Sequence, residues 1–122
     1  MMGQLTYIAL AITVMITGYY AVIFIRDPEV ALERATHRRE LLPLVMTGRY
    51  IALFLFALGV MLLNDIKLSA FFFSVCAFIG LYDGWIYRSR NLPHFKHTIT
   101  GLLALGALGI SILALVTSGT AI

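Results

Sequence analysis

Charge is scarce in this chain. Nine Lys and Arg and six Asp and Glu are spread over 122 residues, about half the share of charged residues in a soluble domain. Apolar residues make up 61% and the mean hydropathy is +0.93, which excludes an ordinary water-soluble globule. A single cysteine, Cys76, rules out an intrachain disulfide. Only three prolines occur, at 28, 43 and 93, close to the ends of apolar runs rather than within them. No Gly-x-Ser-x-Gly, His-Glu-x-x-His or phosphate-binding loop is present. The formal charge of +3 sits in two short connections and does not point to nucleic acid.

Four apolar stretches fill most of the chain: about 5–25, 44–63, 68–87 and 97–116. Each is close to the ~20 residues that cross ~30 Å of hydrocarbon. A barrel would need alternating segments of ~10 residues, so helices are expected. The expected fold is therefore one all-α integral membrane domain over 1–122. It is a four-helix, up-and-down transmembrane bundle whose principal partner is the lipid bilayer. The first stretch lacks a basic leader and a small-residue cleavage site, so it is read as an uncleaved span.

Basic residues orient the spans. Arg26, Arg34, Arg38, Arg39 and Arg49 accompany the 26–43 connection, and Arg88, Arg90 and Lys96 the 88–96 connection; Lys67 stands alone in the opposite turn. Both long connections are expected in the cytoplasm and both termini outside, with a plasma or inner membrane location if the source is bacterial. The 26–43 connection is expected to be partly helical, with Asp27 as N-cap, Pro28 first, Glu29 in the opening turn and Arg38 and Arg39 near its end. Glu33 and His37 are spaced i, i+4 in it.

Small and weakly polar residues mark the faces where membrane helices meet. The last apolar stretch has such a stripe: His97, Thr100, Ala104, Ala107, Ser111, Ala114, Ser118. The third has Ser69, Phe73, Cys76, Gly80, Asp83, Tyr87, with Gly80 and Gly84 permitting close approach. Thr6, Ala9, Thr13, Thr17 and Tyr20 mark the first inner face, and Arg49, Ala52, Phe56 and Gly59 the second.

Three ionisable residues fall on these faces. Arg49 lies about 9 Å of helical rise past Pro43, Asp83 about 7.5 Å before Arg88, and His97 about 6 Å past Pro93. They are expected in one layer below the cytoplasmic surface. Such groups are costly in a bilayer and mark either structure or use. An Arg49–Asp83 ion pair with His97 beside it would lock helix register. Alternatively, Asp83 and His97 form an acid/base pair in a cytoplasm-facing pocket, with Arg49, Tyr50 and Tyr82 binding substrate. His94 and His97 have no recognised metal-ligand company, so neither metal nor other cofactor is expected.

Taken together, Asp27-Pro28, Gly48-Arg49, Asp83 and His97 with Gly101 resemble the small four-helix membrane proteins grouped as domain of unknown function 4267. The resemblance covers nearly the whole chain. It implies the same fold and the same three polar positions, and it supplies no activity. Small multidrug exporters, of similar size, carry a first-helix glutamate that is absent here.

The favoured expectation is a polar pocket for a lipophilic or weakly acidic small molecule, with isomerisation or ring opening as the chemistry such a pocket would suit. An accessory subunit with structural charges and an oligomeric proton-coupled carrier are the alternatives. Free apolar faces and glycine seams suit a homo-oligomer or a membrane-complex partner.

Overall fold

The computed structural model describes residues 3–118, and among them all regular structure is helical. Five α-helices follow one another: α1 (Gln4–Arg26), α2 (Pro28–Arg34), α3 (Leu42–Leu63), α4 (Ile66–Ser89) and α5 (Phe95–Thr117). A 3-10 turn, Arg39–Leu41, leads into α3. The helices α1, α3, α4 and α5 are long and apolar enough to cross a membrane. They outrun the apolar stretches by one or two residues at most ends, because polar residues such as Gln4, Arg26 and Ser89 still complete helical turns.

Helix ends follow from local chemistry. At Asp27 the residue preceding proline is driven into extended backbone, with φ −154° and ψ 95°. Its carboxylate then accepts from the amides of Glu29 (3.2 Å) and Val30 (3.3 Å), so the expected cap and the expected Pro28 start are both present. The same device opens α4, where Asp65 accepts from Lys67 (2.9 Å) and Leu68 (3.4 Å). Asn64 and Asn91 adopt positive φ after α3 and α4, a conformation asparagine tolerates better than most residues.

The 26–43 connection is helical for less of its length than expected. The helix α2 ends at Arg34, leaving Arg38 and Arg39 beyond it, so neither stands near its C-terminus. Thr36 enters the left-handed region at φ 59°. The amides of Thr36 and His37 close on the carbonyls of Glu33 (3.0 Å) and Leu32 (2.9 Å), a Schellman ending. The turn also removes Glu33 and His37 from a common helical face. Arg39 pairs with Glu29, and Arg38 lies 3.6 Å from Glu40. All four side chains are exposed, so these pairs contribute little stability.

The chain divides into two compact units, Met1–Tyr50 and Ile51–Ile122, the boundary falling inside α3. In the first, Ala31 of α2 is fully buried, while Thr13 and Thr17 are exposed and bond back to Ala9 and Thr13 carbonyls of their own helix. Of the face expected on α1, Tyr20 is the member withdrawn from the surface.

In the second unit α4 and α5 form a tight antiparallel pair. A Cβ built on Gly80 would lie 2.5 Å from the Gly101 nitrogen and 3.1 Å from the His97 carbonyl; one on Gly84 would lie 2.5 Å from Thr98 Oγ1. Only glycine permits backbones this close. The expected line on α4 is half-buried or buried at every position but Tyr87. The seam on α5 differs from expectation. His97, Ala104, Ala107 and Ser111 face the protein, but Thr100, Ala114 and Ser118 are exposed, and Gly101, Leu108 and Leu115 lie inward instead. Gly101 is the reason: its close approach to α4 turns the helix slightly from the line that residue size alone suggests. Of the face expected on α3, Arg49, Ala52 and Phe56 are exposed and Gly59 is half-buried, and Leu53, Ala57 and Val60 are the other less exposed positions. The Phe56 ring still meets Phe72 edge-on at 4.9 Å.

Candidate functional site

The glycine contacts set the register of α4 against α5. Gly80 faces Gly101 and Gly84 faces Thr98, so residues whose numbers sum to about 181 lie level. Asp83 and His97 meet that condition. Their side chains accordingly come together, with His97 Nδ1 4.0 Å from Asp83 Oδ2. This separation is beyond a hydrogen bond but close enough for charge attraction when the imidazole is protonated. The side chains retain 33% and 38% of their exposure, so the pair is half-buried. Among the described residues of this unit no donor reaches the Asp83 carboxylate by hydrogen bond, leaving it able to accept one.

Helix lengths modify the expected depth. The helix α5 begins at Phe95, so His97 is about 3 Å of rise inside it, and Asp83 is about 9 Å inside α4 from Ser89. The two still meet because α4 runs on past the start of α5.

Two neighbours complete this cluster. Tyr87, one turn beyond Asp83, packs edge-on against the His97 ring at 4.7 Å and 80°, an arrangement that holds the imidazole plane. Thr98 sits against Gly84, and its hydroxyl is 2.9 Å from His94 Nδ1. Tyr87 was legible as a member of the Asp83 face, one helical turn away. The His94–Thr98 contact was missed by sequence reasoning, because a threonine four residues after a histidine has no distinctive pattern.

The remaining candidates divide between the two units. Tyr82 is on the outer side of α4, where it stacks on Phe78 at 5.5 Å and tilts against Trp85 at 6.1 Å. Tyr50 is exposed at the end of the first unit. Arg49 also belongs to the first unit. There it lines a cleft of about 420 Å³ with Thr17, Tyr20, Phe24, Ala35 and His37. Its neighbour His37 reaches the cleft because the Thr36 turn redirects the chain after α2. No group of three or more His, Cys, Asp or Glu side chains suited to a metal ion occurs among the described residues.

The second unit offers a carboxylate and an imidazole at one spot, and the first unit a cationic cleft. The pair can exchange a proton with a bound molecule, and the cleft can hold an anion. No family model matches the chain, and neither the curated proteins nor the solved structures contain a match.

Proposed function

We propose that this chain is a small multi-pass membrane protein that binds a lipophilic or weakly acidic small molecule, with Asp83 and His97 as its acid/base pair. The two long connections face the cytoplasm and both termini lie outside, following the basic residues. Four spans assemble as an up-and-down bundle. The resemblance to domain of unknown function 4267 belongs to the same reading, since it picks out Arg49, Asp83 and His97.

The observation that supports the reading best is the 4.0 Å approach of His97 Nδ1 to Asp83 Oδ2 with the carboxylate still able to accept a bond. A charge kept only for structure inside a membrane is normally saturated by partners. In an isomerisation or ring opening, Asp83 takes a proton from the substrate and His97 returns one; Arg49 is the first-unit residue suited to holding an anion.

A second reading also has an observation behind it. The Asp83–His97 pair adjoins the glycine contacts of α4 and α5, where a charge pair would secure register in an assembly subunit. One experiment separates the two. Purified in lipid nanodiscs, wild type should release a small lipophilic compound on extraction, detectable by mass spectrometry. Asp83→Asn and His97→Gln should lose that compound at unchanged helicity and size. Loss of folding or assembly instead, or retention of the compound, would sink the acid/base reading. A double-mutant cycle of Arg49→Ala and Asp83→Ala adds a stability readout: recovery in the double mutant identifies a structural pair.

A further inference from the structure

The cleft beside α1 and α2 has a composition suited to one kind of ligand. Its lining contains a guanidinium (Arg49), an imidazole (His37), two hydroxyls (Thr17 and Tyr20) and two apolar groups (Phe24 and Ala35), and no carboxylate. Three acids of this unit are engaged elsewhere: Glu29 with Arg39, Glu40 with Arg38, and Asp27 with the α2 amides. The fourth, Glu33, is exposed on α2 and stands outside the lining. The field in the cleft is therefore positive.

We infer that this cleft binds the phosphate group of an anionic amphiphile, such as a phospholipid of the phosphatidic acid type. The inference rests on the reading of Arg49 as the anion-holding residue, and it is independent of Asp83 and His97. Donor number favours phosphate over carboxylate. A planar guanidinium fork, an imidazole and the Tyr20 hydroxyl can serve three tetrahedrally placed oxygens, whereas a carboxylate has two; the Thr17 hydroxyl already donates to the Thr13 carbonyl. The volume of about 420 Å³ is within the range of small-ligand sites and exceeds what a bare phosphate fills.

Position supplies the second argument. Tyr20 is six residues before the end of α1 at Arg26, and Arg49 is six past Pro43, so each is about 9 Å from the basic end of its helix. That is the level at which arginine and tyrosine meet lipid headgroups. On the core side of Tyr20 the exposed apolar side chains of α1, including Leu10, Val14 and Ile16, offer acyl chains a path away from the phosphate.

The test uses the full chain in an uncharged detergent, titrated with dioctanoyl phosphatidic acid, dioctanoylglycerol and inorganic phosphate. Binding is followed by native mass spectrometry and by shift of the melting temperature. Dioctanoyl phosphatidic acid should bind saturably, and Arg49→Gln should weaken it by about tenfold or more, the effect of losing a hydrogen bond to a charged group. His37→Asn and Tyr20→Phe should each weaken it less, Arg49→Lys should retain part of it, and Asp83→Asn should leave it unchanged. Comparable binding of inorganic phosphate, lost in Arg49→Gln, would support the phosphate site and assign it to a soluble source. Phosphatidic acid binding no tighter than dioctanoylglycerol, or binding equally to Arg49→Gln of normal helicity, would overturn the inference. Because Asp83→Asn and Arg49→Gln are read separately, failure here leaves the acid/base reading standing, and the reverse also holds.

Discussion

Thr36 is the residue whose backbone conformation is least suited to its type. A β-branched side chain at φ 59° is strained, since the left-handed region costs an L-residue about 1–2 kcal/mol. The Schellman bonds after α2 require that conformation, and glycine adopts it freely. Thr36→Gly should therefore stabilise the turn by about 1 kcal/mol after its own entropic penalty. Hydrogen exchange at the amides of Ala35, Thr36 and His37 should slow, and faster exchange would show that the threonine is preferred. The same turn carries His37 into the cleft with Arg49, so a local backbone feature decides which residues share that site. At Asp65 the expected outcome has the opposite sign. Asp65→Ala removes the acceptor for two amides at the start of α4 and should lower stability by about 1 kcal/mol, read as a fall in melting temperature.

Between helices, the decisive feature is the glycine contact of α4 with α5. A methyl group at Gly80 has no room against Gly101 backbone and the His97 carbonyl. Gly80→Ala should separate the helices and cost about 1–3 kcal/mol. It should also widen the Asp83–His97 approach, so that any acid/base function declines along with stability. Gly109 is a control on α5, where a methyl group would meet nothing within 4 Å. Gly109→Ala should be neutral or stabilising by up to about 1 kcal/mol, as expected from helix propensity. Thermal unfolding of both variants in one detergent checks the contrast, and equal losses would remove glycine packing as the explanation. A stripe of small residues was readable along α5, yet its orientation was not. Size marks which residues can approach a neighbour, while the rotation depends on where the partner's own glycines lie.

For the molecule as a whole, the arrangement of apolar surface is the governing fact. Leu5, Ile25, Leu63 and Phe95 are all more than two-thirds exposed, and side chains like these cover the long helices. Such surface is stable only against lipid or other apolar chains. The proposed topology can be tested in a Cys76→Ala background with a membrane-impermeant maleimide. Lys67→Cys, in the first turn of α4, should label in intact cells. Ser89→Cys, at the opposite end of α4, should label only after permeabilisation. The reverse pattern would invert the topology and move the Arg49 cleft to the outer face.

Composition and periodicity determined by themselves that the chain is helical, that four of its helices can span a membrane, and where most of them begin and end. These properties depend on hydrophobicity and on backbone hydrogen bonding within short segments, both of which are local. The cap at Asp27 was legible for the same reason; the one at Asp65 was not read from the sequence. Asp83 and His97 could be matched in depth from helical rise, because an antiparallel pair with a short connection has few possible registers. Which side chains then met was decided by packing. Gly80 against Gly101 set the height and rotation at which Asp83 and His97 approach, Tyr82 went to the outer side of α4, and Tyr87 packed on the imidazole. Arg49 joined His37 and Tyr20 through a turn at Thr36. Such pairings depend on contacts between residues distant in the chain, and no local pattern encodes them.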